Sequence, residues 1–278
     1  MMSQRDSGVR WHATRGLRNT LTGLFVACAA ASVSLAGVLA HRLSVIDAIK
    51  NGTATVAQVR HADDLVNSVR VALLVVVLVT AVVFMVWQWR SVKNAEVLGR
   101  TQLRFTSGWS IGGWFIPFAN LVIPARVMQD LWQSADAAAH NHTDWRTLRR
   151  SKLVGWWWAA FIVAGLVGRG GTGGGNTLDS FRTSNEVALF AQVVLALAAV
   201  LGIFVVREIT RRQDAARIEE THAPTKLPAE WYADPSGRFQ YLYWNGTAWT
   251  THVSSQGQAT IDPLAMPGAM PARARRAR

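Results

Sequence analysis

The sequence predicts an all-α polytopic membrane protein with about four transmembrane helices, an interfacial or re-entrant broken helix and a small C-terminal β-meander module. Three observations predict this fold class. Half of the 278 residues are hydrophobic and only 17% are charged, against about 25% in a typical soluble domain. Long apolar runs interrupt the chain, and the formal net charge of +12 lies outside them. A short aromatic segment with hairpin signals follows the last run.

The predicted spans, which together make up a membrane domain at 21–206, are residues 21–40, 71–89, 153–168 and 187–206. None of these spans contains Asp, Glu, Lys, Arg or His. A helix of about 20 uncharged residues, rising about 1.5 Å per residue, crosses the hydrocarbon core of a bilayer. The third run is shorter, but Lys152 and Arg169 at its ends can extend to the interface. Buried helices of a soluble protein are the alternative, and uncharged runs of this length argue against it.

Basic residues predict the orientation of these spans. With the N-terminus inside, 23 of the 29 Lys and Arg residues fall on the cytoplasmic side. The positive-inside rule therefore predicts a multi-pass protein of the cell (plasma) membrane, the inner membrane of a bacterium, with both termini cytoplasmic and residues 1–20 as a basic N-terminal segment. The alternative is a signal peptide cleaved near Ala40, but the first run exceeds the usual ~7–15 apolar residues. Cleavage would leave three spans.

An unusual apolar segment, residues 105–133, lies between the second and third spans. Its prolines interrupt a helix because proline lacks the N–H donor, so the segment predicts two short helical pieces at the interface or dipping into the bundle. A fifth full span is the alternative, and it fits the distribution of basic residues less well. An amphipathic packing segment is the simplest interpretation, and a substrate or lipid cleft is the functional one. The candidate cleft residues are Trp109, Gly112, Gly113, Trp114, Pro117, Asn120, Pro124 and Arg126, with Gln192 of the fourth span.

The remaining sequence predicts a helical extension and linker at 207–228, a small Trp-rich β module at 229–254 and a disordered basic tail at 255–278. Asp234 begins a predicted turn. Asn245-Gly246 predicts a two-residue hairpin with Leu242 opposite Trp249, and the segment near Trp231 could add a third strand. Aromatic residues of such a module either form its core, as expected for Trp231 and Trp249, or bind a partner. The candidate partner-binding residues are Trp231, Tyr232, Asp234, Tyr243, Trp244 and Trp249.

Two segments resemble known families. GWSIGGWFIPFANLVIPARVMQDLW is similar to the signature of domain of unknown function DUF4328, a bacterial membrane family with about four spans, and the resemblance covers about residues 65–215. WYADPSG followed by YWNGTAWT resembles DUF2510, a short Trp-rich module at the termini of actinobacterial membrane proteins. The resemblances imply this membrane architecture and a small β-meander, and they imply no chemistry.

No recognisable catalytic constellation, cofactor motif or metal site is present in the sequence. GRGGTGGG at 168–175 lacks the Lys of a phosphate-binding loop, and HNHTD at 140–144 lacks further spaced ligands. The sequence therefore predicts a non-enzymatic, membrane-anchored interaction or scaffold protein with a cytoplasmic protein partner. A small transporter or channel-like protein with a cleft at 105–133 is the alternative. The other expected partners are the bilayer itself and anionic lipid headgroups at the basic tail. A homo-oligomer is compatible with the sequence, and nucleic acid is not an expected partner.

Overall fold

The computed structural model describes residues 10–100, 103–140, 145–170, 177–222, 229–234, 237–246 and 248–262. The chain forms two compact units, Met1–Ile218 and Glu219–Arg278. The first unit is helical, and the second carries a four-stranded antiparallel sheet. The predicted combination of a helical domain and a small C-terminal β-meander is therefore confirmed.

Six α-helices are described, and every predicted apolar run lies inside a long one. Three of them, α1, α2 and α6, are long and apolar enough to cross a membrane. The fourth long helix, α5, has only 19 residues and carries Lys152 and Arg169 near its ends, so the predicted count of four spans is not confirmed. The helices are α1 (Arg15–Lys50), α2 (Val56–Val97), α3 (Ser107–Gly112), α4 (Ile123–Ser134), α5 (Lys152–Gly170) and α6 (Leu178–His222).

Polar contacts join the start of α1, the end of α2 and the later part of α6 at one end of the bundle, here called the near end. The Asn94 side-chain amide donates to the His12 carbonyl and its oxygen accepts from the His12 N–H, both at 2.8 Å. Arg15 forms an ion pair with Asp214 at 2.8 Å. Because α6 continues beyond its apolar run as one helix, the predicted helical extension after residue 206 is confirmed as far as His222.

Ion pairs also fasten the opposite end of the bundle, the far end. Arg42 of α1 pairs with Asp63 of α2 at 2.6 Å, and Lys50 of α1 pairs with Asp179 of α6. The long helices α1, α2 and α6 therefore run the full length of the bundle, with α1 antiparallel to the other two.

Helix α5 begins at the near end and runs toward the far end. At its start, the side chain of Gln129 in α4 accepts from the Ser151 N–H at 2.9 Å and donates to the Ser151 carbonyl at 2.8 Å. Near its other end, Gly168 lies against Ala191 of α6, so close that an added Cβ would be 3.8 Å from the Ala191 Cβ. The four long helices thus alternate in direction along the chain.

The segment between the second and third apolar runs folds as two short helices, α3 and α4, as predicted. Pro117 lies in the connection between them, which also contains a single 3₁₀ turn, Ala119–Leu121. Pro124 instead occupies the first turn of α4, where its missing N–H would have no helical partner. Phe118 closes the connection with a φ of 64°, a conformation that non-glycine residues seldom adopt. We call α3, the connection and α4 together the hairpin.

The hairpin closes tightly at Gly113, directly after α3. A Cβ placed on Gly113 would lie 2.6 Å from the Cγ2 of Ile123 and 3.0 Å from the Trp109 carbonyl oxygen. The backbone of Gly113 has an ordinary helical φ of −60°, so the glycine is required by this close approach and not by its dihedral angles. The neighbouring Gly112 has open space around its Cα.

The sheet of the second unit is a meander in which each strand pairs with the next one in sequence. The predicted strand near Trp231 is confirmed as β1. Strand β4 corrects the predicted boundary, because residues 258–261 belong to the sheet and not to a disordered tail. Gln256 and Gly257 form the turn before β4, with φ angles of 54° and 79°. The strands are β1 (Glu230–Ala233), β2 (Tyr241–Trp244), β3 (Trp249–Ser255) and β4 (Gln258–Ile261).

The predicted pairing of Leu242 with Trp249 is wrong. Trp244 lies opposite Trp249, Leu242 lies opposite Val253, and a bulge separates the two pairs. Residues 245–248 connect the two strands. The Asn245 N–H donates to the Ala248 carbonyl at 3.2 Å, and the Asn245 Oδ1 accepts from the Ala248 N–H at 2.7 Å. These two bonds pair Asn245 with Ala248 across the connection.

Some predicted features lie outside the described residues. They are the linker at 223–228, the tail arginines Arg273, Arg275, Arg276 and Arg278, residues 171–175 of the Gly-rich stretch and residues 141–144 of HNHTD.

Replacing Gly113 by Ala should destabilise the protein by about 1–3 kcal/mol, because the new methyl group overpacks against Ile123. Gly112→Ala is the matched control and should be neutral or slightly stabilising, since nothing lies within 4 Å of its added Cβ. Thermal unfolding of the purified full-length protein in detergent measures both. Equal unfolding temperatures for the two variants would contradict the close packing of the hairpin.

Candidate functional site

Trp114 fastens the hairpin to the helical bundle. Its indole N–H donates to the Oε1 of Gln88 in α2 at 2.9 Å, and Gln88 is fully buried. Its ring contacts Phe84 edge-on, with 5.9 Å between the centroids. The indole N–H of Trp158 in α5 donates to the Leu121 carbonyl at 3.0 Å. The connection between α3 and α4 is therefore fixed near both of its ends by tryptophan N–H groups, one from the hairpin itself and one from the bundle.

The connection of the hairpin, which we call the tip, presents apolar side chains outward. Phe115 is 71% exposed and Phe118 is 83% exposed. Most backbone N–H groups at the tip are nevertheless paired; for example, Phe115 donates to Gly112 at 3.1 Å and Asn120 donates to Ile116 at 3.0 Å. Exposed apolar side chains over a largely paired backbone suit a nonpolar environment better than water.

An apolar cavity of about 240 Å³ lies between the hairpin and helices α1, α2, α5 and α6. Its polar side-chain groups are Cys28 and Thr80, whose sulfur and hydroxyl oxygen lie 3.3 Å apart. Such a lining can accept an apolar molecule or chain and offers little to a polar solute. Aromatic rings form much of its wall, among them Phe25, Phe84, Trp114, Phe115, Trp157 and Phe161.

The remaining candidates of the hairpin do not line this cavity. Trp109 is 46% exposed on α3, Arg126 is exposed on α4, and Asn120 is half-buried at the tip. Gly113 and Pro124 shape the backbone, as described above, and Pro117 is exposed at the tip. Of the predicted cleft residues, Trp114 alone contributes to the cavity wall.

The structure separates Gln192 from the hairpin. Gln192 lines a different pocket of about 360 Å³ with Arg70, Leu35 and Gly168, toward the far end. Its buried Oε1 has no hydrogen-bond partner among the described residues. The hairpin and Gln192 therefore do not form a single cleft.

A seam of buried polar side chains joins α2 and α6 at the near end, and the sequence did not predict it. The Trp87 indole N–H donates to the Thr210 hydroxyl at 3.1 Å, and the Gln213 amide donates to the Ser91 carbonyl at 2.8 Å. All four side chains are fully buried. Their spacing is the signal that the sequence offers, because residues four apart on α2 and three apart on α6 share one face of each helix. These positions lie at the end of the second apolar run and just after the fourth.

Helix α4 carries a second buried polar group that the sequence analysis did not single out. Asp130 is 3% exposed, and its Oδ1 lies 3.5 Å from the Nε of Arg104. Burial raises the pKa of Asp130, and the nearby positive charge of Arg104 opposes this shift. On the same helix, the buried Gln133 donates from its amide to the Arg146 carbonyl at 3.0 Å. These contacts tie the segments before and after the hairpin to α4.

The aromatic residues of the sheet fall into two separate contact sets. Trp231 contacts Tyr243, with ring centroids 5.1 Å apart. Trp249 contacts both Tyr232 and Trp244, at 5.8 Å and 5.2 Å. Because Trp231 and Tyr232 are neighbours in one strand, their side chains point to opposite faces of the sheet. All five aromatic candidates therefore take part in ring contacts, but on two faces.

The buried apolar centre of the sheet is aliphatic. Val253 is fully buried and Leu242 is 9% exposed, whereas Trp231 remains 37% exposed. Trp231 and Trp249, the predicted core residues, are therefore not the most buried positions, which belong to the cross-strand aliphatic pair Leu242 and Val253.

Asp234 has a structural position in the turn after β1. Its Oδ2 accepts from the Phe239 N–H at 3.0 Å, and its carbonyl accepts from the Gly237 N–H at 3.1 Å. Gly237 has a φ of 70°, which favours glycine at that position. The predicted turn is present, although Pro235 and Ser236 lie outside the described residues.

Comparison with known proteins identifies two families along the chain. The model of a family described as a domain of unknown function (DUF4328) matches residues 50–211. The model of a family described as a protein of unknown function (DUF2510) matches residues 229–262. No curated protein and no solved structure matches the chain. The second match reaches residue 262 and thus includes β4, in agreement with the observed sheet.

Trp114→Phe should destabilise the protein by about 1–3 kcal/mol, because the buried Oε1 of Gln88 loses its donor. Combining it with Gln88→Leu should cost less than the sum of the two single changes, since both polar partners are then removed. Trp109→Phe on the exposed side of α3 is the matched control and should have little effect. Unfolding in detergent, followed for the full double-mutant cycle, measures the coupling. Strictly additive effects would contradict the proposed anchor.

Proposed function

Because the chain belongs to the DUF4328 family and continues into a DUF2510 module, we propose that it is a non-enzymatic integral membrane protein that anchors this module at the cytoplasmic face, where the module binds a protein partner.

The outer surface of the helical unit supports membrane placement. The apolar run of α2 exposes a continuous set of branched aliphatic side chains, each between 47% and 62% accessible. An apolar surface of this kind is unfavourable in water and favourable in lipid. Members of this set are Val71, Leu74, Val75, Leu78, Val79 and Val82.

The alternating directions of the long helices support four crossings of the cell membrane. Helix α5 has 19 residues, which at about 1.5 Å per residue gives about 28 Å, close to the thickness of the hydrocarbon core. With four crossings, the start of α1 and the end of α6 lie on one side, and the distribution of basic residues assigns that side to the cytoplasm. The hairpin then starts and ends on the cytoplasmic side, with its tip in the bilayer.

Partner binding by the module rests on one observation, the presence of aromatic contact sets on both faces of a single sheet. A single small sheet can bury at most one of its faces in a core of its own side chains. No second layer of strands that could cover the other face is described in this unit. At least one aromatic set therefore remains for contacts outside the sheet. The Trp231–Tyr243 pair is the better candidate, because Val253 and Leu242 lie with Tyr232 on the other face.

A carrier of apolar molecules is the second candidate function. The aromatic cavity behind the hairpin favours it, because its lining matches an acyl chain or a similar apolar group. A path for ions or polar solutes has less support, since the described lining contributes a thiol and a hydroxyl as its polar side chains.

The proposed function can be tested by photo-crosslinking in intact cells. A photoreactive phenylalanine analogue at position 241, which is 47% exposed and lies on the Tyr243 face, should capture a defined set of cytoplasmic proteins. Trp231→Ala should reduce this capture by more than tenfold, because tryptophans at the centre of an interface contribute much of its binding free energy.

Trp156→Ala is the matched control, since Trp156 is 69% exposed on α5 and lies outside the module. Capture should be unchanged in this variant. Loss of capture in Trp156→Ala but not in Trp231→Ala, or capture that is unaffected by either, would refute partner binding through the module.

A further inference from the structure

A basic pocket of about 500 Å³ opens at the near end, between α1, α4, α5 and α6. Neither aromatic set of the module nor the apolar cavity includes its residues. Its wall combines three arginines and one glutamate with apolar and aromatic side chains. The lining residues are Arg18, Trp132, Leu153, Phe204, Arg207, Glu208 and Arg211.

The charges of this pocket are not balanced internally. Glu208 accepts from Arg211 at 2.7 Å and from the neighbouring Arg212 at 2.8 Å, so its single negative charge is shared by two guanidinium groups. Arg18 donates to the neutral side chain of Asn19, at 3.0 and 3.1 Å. Among the described residues, neither Arg18 nor Arg207 has a carboxylate partner. The lining itself therefore carries a formal excess of two positive charges.

The pocket changes from apolar to basic along one face of α6. Phe204 lies near the end of the apolar run, Arg207 follows three residues later, and Arg211 lies one further turn beyond. Leu153 makes the same apolar contribution from the first turn of α5, and Trp132 approaches from α4. This order matches the boundary between the hydrocarbon core and the headgroup layer, where tryptophan side chains also concentrate.

We propose that this pocket binds the phosphate headgroup of an anionic glycerophospholipid, with Arg18 and Arg207 on the phosphate and Phe204 and Leu153 against the start of the acyl chains. The inference rests on the membrane placement proposed above and is independent of the module and its partner. Guanidinium groups form paired hydrogen bonds with phosphate oxygens, which suits the two arginines without a carboxylate partner. The apolar wall distinguishes a lipid from a free phosphate ion, which would leave Phe204 and Leu153 unused.

Native mass spectrometry of the purified full-length protein, titrated with phosphatidylglycerol and separately with phosphatidylcholine, tests the proposal. Phosphatidylglycerol should bind more tightly than phosphatidylcholine, whose choline ammonium is repelled by the basic pocket. Arg18→Gln and Arg207→Gln should each weaken phosphatidylglycerol binding about fivefold and reduce its preference over phosphatidylcholine. Arg60→Gln is the matched control, because Arg60 is an exposed arginine of α2 at the far end. This variant should bind phosphatidylglycerol like the unmodified protein.

A competition arm separates the lipid from a soluble anion. Inorganic phosphate at the lipid's concentration should not displace phosphatidylglycerol, and Phe204→Ser should weaken the binding of the lipid. The proposal is overturned if inorganic phosphate displaces the lipid, or if Arg60→Gln weakens binding as much as Arg207→Gln does. It is also overturned if both pocket variants bind phosphatidylglycerol normally. None of these outcomes depends on a protein partner of the module. If the module binds no partner, the lipid experiment therefore still tests the pocket.

Discussion

The need to pair polar groups inside an apolar bundle governs where this protein places its side-chain contacts. The middle of the bundle contains the weak Cys28–Thr80 contact, whereas ion pairs and amide hydrogen bonds gather at the two ends. At the near end, fully buried side chains such as Trp87 and Gln213 bond across helices. A bilayer would favour this distribution, because polar groups at the ends can meet the interface and those in the centre cannot.

The hairpin follows the same constraint. Its indole bond to the Gln88 Oε1 and the bond from Trp158 to the Leu121 carbonyl pair polar atoms of the hairpin with polar atoms of the bundle. Gly113 permits the two arms to approach, and the tip then exposes phenylalanines while most of its backbone N–H groups remain paired. The apolar cavity is a consequence of this arrangement, since Trp114 and Phe115 form part of its wall. The basic pocket lies outside it, where the apolar run of α6 gives way to arginines.

The sequence was sufficient for the features that depend on composition and on strong local signals. Long uncharged runs predicted the helices, and Pro117 predicted a break between two short helical pieces. Features that depend on the spatial meeting of distant residues were beyond it. Nothing local indicates that Gly113 approaches Ile123, or that Gln192 lies apart from the hairpin.

The sheet shows the same limit on a smaller scale. Asn245-Gly246 is a strong β-hairpin signal and a connection is present there, but Asn245 pairs with Ala248 and a bulge lies between Leu242 and Trp244, so the register differs from the predicted one. The turn at Gln256 and Gly257 contains no proline or aspartate, so the sequence does not predict it. The residues of β4 therefore fall in the predicted tail. The near-end seam was visible in principle through its helical spacing, yet single polar residues at that spacing are common on exposed helix faces as well.

The central claim is that the hairpin dips into the membrane from the cytoplasmic side and does not cross it. Single cysteines at positions 53, 118 and 138, introduced into a Cys28→Ala background, test this claim by labelling with a membrane-impermeant maleimide in spheroplasts. Position 53 joins α1 to α2, and position 138 follows the hairpin. We expect position 53 to be labelled from outside and position 138 to be labelled only after permeabilisation. Position 118 should be labelled in neither condition. Labelling of position 118 or 138 from outside would show that the segment crosses the bilayer and would contradict the proposed architecture.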